Sequence, residues 1–246
     1  MERRTRRPRP TVHSATVHSI EDLSPNVRCI RIAGDDLKSI AWSAGQKIKI
    51  KVADWLRSYT PARMDTNQGW MDIVFHLHGN GAASQWAASA TVGEAIQFVG
   101  PTNSIPGADG VPDWALFLGD ETTIGLAAAL LESLPDSVHK LGAIEVDAED
   151  EGSVSAFGVP LSATIRTGEH GQSLLTWLNN TTLPAGSGMI WVSGEALSAR
   201  ALREALMERN PPDIQFKLKA YWSSKGHAHR KALEKEQKAK AASATA

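Results

Sequence analysis

The hydrophobic pattern of this chain changes period once, across Pro101–Pro112, and that change implies a two-part fold. Before it, residues 11–100 read as short strands separated by turns. The expected strands are Thr11–His18, Asn26–Ala33, Gln46–Val52, Leu56–Ala62, Gly69–His76 and Glu94–Val99. In Gln46–Val52, alternation puts Ile48, Ile50 and Val52 on one face and Lys47, Lys49 and Lys51 on the other, as in a half-buried strand. Gly34-Asp35-Asp36, Ser43-Ala44-Gly45 and Asp65-Thr66-Asn67 supply turn chemistry. One helix is expected near Ala82–Ala90. Many short strands predict a small antiparallel barrel, because closure removes exposed sheet edges.

After the change, apolar runs alternate with helical patterns. Trp114-Ala115-Leu116-Phe117-Leu118 is a continuous apolar run, as in a strand buried on both faces. A helix over Thr122–Leu134 follows, then a strand at Leu141–Val146 and a helix at Gln172–Asn179. Next come a strand at Met189–Ser193, a helix at Ala196–Arg209 and a strand at Phe216–Trp222. This alternation implies a parallel sheet with right-handed crossovers. The prolines and glycines of residues 101–112 read as the linker, giving a β domain at 11–105 and an α/β domain at 113–224. Residues 1–10, rich in Arg and Pro, read as a disordered tail. Residues 225–246 read as a polar helix that frays toward Ala246.

Composition narrows the chemistry. The 246 residues carry a net charge of −1, so no global field favours nucleic acid. No apolar run approaches the roughly 20 residues needed to span a bilayer, and the charged N-terminus lacks the apolar core of a secretory signal. A cytoplasmic, monomeric protein without membrane insertion is expected. The single cysteine, Cys29, cannot make an intrachain disulfide, a zinc site or an iron–sulfur cluster, so redox chemistry needs an external cofactor.

Five motifs and one acidic run carry candidate chemistry. In Arg57-Ser58-Tyr59-Thr60-Pro61-Ala62-Arg63, a cation, an aromatic plane and a hydroxyl stand within four residues. That set can hold a phosphate, a ring and a ring heteroatom; an ordinary strand end with a surface arginine is the alternative. In His76-Leu77-His78-Gly79-Asn80-Gly81-Ala82-Ala83-Ser84, a strand leads through a glycine turn into a helix. The small residues Gly81, Ala82, Ala83 and Ser84 allow close approach to helix-start amides, which favour anions. His76 and His78 share one strand face, and no nearby cysteine or carboxylate has the spacing to complete a metal site with them. Gly119-Asp120-Glu121-Thr122-Thr123-Ile124-Gly125 follows the first parallel strand, where ligands bind in such sheets, and Thr122 is expected to cap the next helix. Trp191-Val192-Ser193-Gly194-Glu195 ends a later strand. Ala220-Tyr221-Trp222-Ser223 ends the last one. The acidic run Glu145–Glu151 offers carboxylates for a ribose 2′-hydroxyl, or is simply a polar loop.

Taken in order, these segments resemble the motifs of siderophore-interacting proteins, flavin-dependent ferric-siderophore reductases of the ferredoxin reductase superfamily. The resemblance implies a Greek-key antiparallel β-barrel that binds FAD, followed by a Rossmann-like parallel α/β domain for NADPH or NADH. It assigns Arg57 to the FAD pyrophosphate, Tyr59 to the flavin, and Thr60 to the flavin's reactive nitrogen, the nearest thing to a catalytic residue. Ser58, His76, His78, Gly81, Ala82, Ala83, Ser84, Asp120, Thr122, Thr123, Gly194, Glu195 and Trp222 complete the implied cofactor contacts. Ser223 stands where the family carries an arginine, so Arg63, Lys47, Lys225 and Arg230 are the candidates for an acidic ferric siderophore. The implied reaction is reduction of the ferric siderophore by electrons from NAD(P)H through FAD. Two alternatives remain: a flavin- or siderophore-binding protein without NAD(P)H turnover, and a reductase fed by ferredoxin.

Overall fold

A computed structural model describes residues 11–79 and 81–226. The Arg/Pro tail, Arg230 and nearly all of the expected C-terminal helix lie outside the described residues. The first sheet has seven antiparallel strands: β1 (Val12–Ser24), β2 (Val27–Ala33), β3 (Lys47–Val52), β4 (Trp55–Tyr59), β5 (Arg63–Asp65), β6 (Trp70–His76) and β7 (Ala95–Thr102). Helix α1 (Ala82–Ser89) lies between β6 and β7. The strand order is β4-β3-β7-β1-β2-β6-β5. Laid flat, seven strands would put β4 and β5 roughly 29 Å apart. Only residues 60–62 join them, a link that reaches at most about 14 Å. The sheet must therefore curl until its two ends meet, as the sequence pattern predicts for a barrel. Ile48, Ile50 and Val52 are buried inside with Ile30, Ile73, Phe75 and Phe98.

The second sheet is parallel, in the order β10-β9-β8-β11-β12. Its strands are β8 (Trp114–Asp120), β9 (His139–Val146), β10 (Ser162–Ile165), β11 (Gly188–Glu195) and β12 (Ile214–Trp222). The helices are α2 (Ile124–Glu132), α3 (Ser153–Ala156), α4 (Gln172–Asn179) and α5 (Ala196–Glu208). All seven residues of β8 and all eight of β11 are buried, as expected of strands covered on both faces. The strand order reverses between β8 and β11, so the crevice for a ligand opens beyond the carboxyl ends of those two strands.

The chain is thus an antiparallel β half and a parallel α/β half, and the two share a core. Leu23, Val27, Ala62 and Val74 of the first half pack in one cluster with Phe117, Ile124, Ala127 and Phe157 of the second. Polar contacts extend the join. Asp150 accepts from Ser24 Oγ at 2.6 Å and from the Asn26 amide at 2.9 Å. Arg63 pairs with Glu132 and donates to the Phe157 carbonyl.

Three local expectations need correction. The strand expected over Leu56–Ala62 stops at Tyr59, because Pro61 has no amide to donate to a ladder. The helix expected from Thr122 begins at Ile124 after a 3₁₀ turn, and its entry is capped by Asp120 rather than Thr122. Edge strand β10 is not among the expected strands: Ser-Ala-Thr-Ile alternates, but over only four residues and with the small Ala163 as one of its two apolar members.

Candidate active site

The two halves of the flavin-like pattern meet on one aromatic ring. Tyr59 packs on Phe75 of β6 with ring centroids 4.5 Å apart. Trp86 of α1 meets the same Phe75 edge-on at 5.6 Å. Phe75 therefore ties β4 to the helix that follows Gly81–Ser84. At that helix start, Ser84 is buried and its hydroxyl accepts the Gly79 amide at 3.2 Å. Gly81 supplies a φ of +106° at the N-cap, a conformation side chains disfavour.

Arg57 is half-buried and lies on the same face as Tyr59, opposite Ile50 and Ile48 of β3. Its guanidinium donates to the Leu56 carbonyl at 3.3 Å and lies 5.1 Å from the Trp55 ring. Among the described residues it forms no ion pair, so its charge is open to an anion. Ser58 points to the opposite, exposed face with Lys49. Burial pushes the Tyr59 phenol up to about 12, so the ring stays neutral.

Thr60 is buried at the corner between β4 and β5, and its hydroxyl is 2.5 Å from the Tyr221 hydroxyl at the end of β12. Burial raises Tyr221 to about 12, against the opposing Thr60 hydrogen bond. Gly125 sits against the same corner: a Cβ there would lie 3.4 Å from both Ala62 Cβ and the Thr60 carbonyl. The corner that closes the first sheet is thus packed against both α2 and β12.

Asp120 gathers the remaining motifs. One carboxylate oxygen accepts the Glu195 amide at 2.8 Å and Trp222 Nε1 at 2.9 Å. The other accepts the Thr122 amide at 3.0 Å and its hydroxyl at 2.5 Å. Burial still pushes Asp120 upward, against these donors. Gly194, with φ +105°, is needed here because a Cβ would come within 2.5 Å of Asp120. Thr123 is buried and bonds the Asp120 carbonyl at 2.6 Å. His170 meets the Trp222 ring edge-on at 4.9 Å. Three motifs separate in sequence thus converge at the crevice between β8 and β11.

Several expected contacts are spent internally. Glu195 caps α5 by accepting the Leu197 and Ser198 amides, and its other oxygen accepts the Ser224 amide and hydroxyl. Burial opposes ionisation there, yet these donors hold the carboxyl below its ordinary value. Arg63 forks onto Glu132 and lies 4.4 Å from the Phe157 ring, so it belongs to the join between the halves. Lys47, on the outer face of β3, and Lys225 beyond β12 remain as candidate cations. In the acidic run, Glu145 is buried and accepts the Gly171 amide and the Ser173 hydroxyl, while Asp150 and Glu149 hold Asn26. Those three carboxylates are thus engaged by donors within the fold.

Sequence spacing missed one constellation. Arg166 binds Glu121 at 2.5 Å, Asp147 at 2.5 Å and Glu145 at 3.2 Å. His76 Nδ1 lies 3.7 Å from Glu121, and its ring is 5.9 Å from that of His78. Contrary to expectation, carboxylates therefore do stand beside His76: ligand atoms of His76, Glu121 and Asp147 lie within 4.8 Å of one another. Arg166 already supplies a cation to both carboxylates, so an arginine-centred ion cluster accounts for them. Burial, followed by the neighbouring His78, lowers His76 to about 4, leaving it neutral near pH 7.

Burial and the charge of Asp120 raise Glu121 from 4.5 to about 7, despite Arg166. Its folded value exceeds its unfolded one, so its stabilising contribution is full below about 4.5. It is lost as pH rises through about 7. Glu121→Gln is expected to flatten that decline. Urea unfolding at pH 5 and pH 8 checks this; an unchanged difference in unfolding free energy between the two pH values would remove Glu121 as its source.

Comparison with known proteins agrees with this geometry. Residues 52–105 match the family model for the siderophore-interacting FAD-binding domain, and residues 112–225 match that for the siderophore-interacting protein. An uncharacterised Mycobacterium tuberculosis protein is 35% identical over 97 residues, covering 39% of this chain and 34% of that protein. Ferric vibriobactin reductase ViuB of Vibrio cholerae is 27% identical over 156 residues, covering 61% of this chain and 57% of that protein. The matches thus span about a third and somewhat over half of these relatives' lengths. The crystal structure of a siderophore utilization protein from T. fusca superposes with a TM-score of 0.73 at 24% identity, covering 87% of this chain and 93% of that one. At that identity the likeness concerns the fold.

Proposed function

This chain belongs to the siderophore-interacting protein family, and from that membership we infer an FAD-dependent reductase of ferric siderophores. The observation that carries the reading is the stripe on β4: Arg57, a cation that forms no ion pair among the described residues, beside Tyr59, with Thr60 at the join of the two halves. These residues fit FAD. Arg57 and the amides of the α1 start would hold its pyrophosphate, Tyr59 would pack on the flavin ring, and the Thr60 hydroxyl, positioned by Tyr221, would offer the flavin a hydrogen-bonding group. The chemistry FAD would supply when bound is the conversion of a two-electron hydride donor, a reduced nicotinamide, into single electrons for Fe(III). Fe(II) is held less tightly by hard oxygen ligands, which frees the iron.

On this reading, residues 11–105 form the flavin domain and residues 113–224 receive NADPH or NADH in the crevice at Asp120, Gly194 and Trp222. Of the candidate cations, Lys47 and Lys225 are left to attract an acidic siderophore, since Arg63 is engaged elsewhere and Arg230 lies outside the described residues. Among the described residues no helix is long and apolar enough to cross a membrane.

The test is anaerobic mixing of the flavin-loaded protein with NADPH or NADH. Bleaching of the absorption near ~450 nm, followed by recovery on adding a ferric siderophore, is the expected result. A bound flavin that neither nicotinamide bleaches, but that reduced ferredoxin does, would replace the donor. One that no donor bleaches would make the protein a binder.

A further inference from the structure

The largest exposed aromatic surface among the described residues lies beside Arg57. Trp55 is 58% exposed and its neighbour Leu56 is 49% exposed, at the start of β4. An indole this open gains nothing from the protein's own core and would gain from a planar partner. The β3–β4 ladder fixes which way it faces. Trp55 is paired with Val52, Arg57 with Ile50 and Tyr59 with Ile48, so all three lie on one side of the sheet. The Arg57 guanidinium carbon, 5.1 Å from the centre of the Trp55 ring, links the first two directly. One face of one strand therefore presents an indole, a guanidinium and a phenol in line, at intervals of roughly 7 Å.

FAD has the matching order: a planar adenine, a doubly charged pyrophosphate and a planar flavin. The direction of the match follows from the surroundings. Thr60 and Tyr221, where the second half of the protein abuts, stand at the Tyr59 end, so the redox-active ring belongs there. The Trp55 end leads away from that join to the exposed Ala53–Asp54 turn. Resting on the flavin reading above, we propose that Trp55 is the stacking platform for the adenine of FAD, making β4 a ruler for the whole dinucleotide. Arg57 then serves twice, binding phosphate and bracing the indole. The platform makes the site selective for FAD over FMN, which lacks the adenosine half.

The test is titration of the flavin-free full chain and its Trp55→Ala and Trp55→Phe variants with FAD and with FMN. Removing a stacking aromatic costs a base contact about tenfold or more in affinity. The expected result is an FAD Kd raised by that factor in W55A, an FMN Kd unchanged within about twofold, and recovery of most FAD affinity in W55F. Circular dichroism checks folding, and the exposed position of Trp55 favours an intact fold. An unchanged FAD Kd in W55A overturns the proposal. So does an equal loss for FAD and FMN, which would make Trp55 a support for the strand instead. Failure of the unaltered chain to bind either flavin would overturn the flavin reading itself, an outcome distinct from the other two.

Discussion

Arg57→Ala is expected to yield protein that purifies largely without flavin. A charge-assisted contact to a phosphate contributes about 2 kcal/mol, or roughly thirtyfold in Kd. Arg57 is the cation of β4, and among the described residues no carboxylate competes for it. The amides at the start of α1 would then hold the pyrophosphate alone. The ratio of absorbance near ~450 nm to that of the protein measures retention, and titration of the stripped protein gives the Kd. Arg57→Lys keeps the charge but loses the planar fork, so an intermediate value is expected. Flavin retention equal to that of the unaltered chain would sink the phosphate assignment.

Arg166→Met is expected to cause the largest loss of stability. Arg166 is 12% exposed and faces Glu121, at 2% exposure, and Glu145, at 1%. Removing the guanidinium leaves buried carboxylates without their cation, at a cost of about 3–5 kcal/mol. For a chain of this size that is a fall in melting temperature of roughly 10 °C. The acids, not the missing packing, are the cause: adding Glu121→Gln to Arg166→Met should restore part of the loss. A single variant that melts with the unaltered protein would show that solvent already reaches this cluster.

How much of this was readable beforehand depended on sequence distance. Ile48, Ile50 and Val52 declare a half-buried strand by alternation alone, and Trp114–Leu118 declares a doubly covered one. Arg57, Tyr59 and Thr60 fall within four residues, so their chemistry could be read as a unit. The three-residue strand β5 and the four-residue edge strand β10 are too short for a pattern to declare them; pairing with β6 and β9 makes them strands. The Arg166 cluster was invisible because its members come from four separate segments. Arg166 itself follows a strand the pattern did not reveal. Glu195 and the acidic run looked like ligand contacts because a carboxylate at a strand end is ambiguous until its donors are known. Here the donors are the first amides of α5 and Ser224 for Glu195, and Gly171, Ser173, Ser24 and Asn26 for the acidic run. Trp55 could have been noticed as an aromatic two residues before Arg57, but only the register with β3 shows that both face the same way.

The bond between Thr60 and Tyr221 joins residues 161 positions apart. During synthesis the barrel strands leave the ribosome long before the end of β12. At about 5–20 residues per second, the interval between the two hydroxyls is on the order of ten seconds. Throughout that time Thr60 lacks its partner, and the apolar residues around Ala62 and Val74 lack the α2 surface that covers them. A nascent chain can therefore begin to form its flavin strand early, but the site is finished only once β12, the last strand of the parallel sheet, has emerged. Truncation just before Tyr221 would leave most of the motif residues present and the working site incomplete.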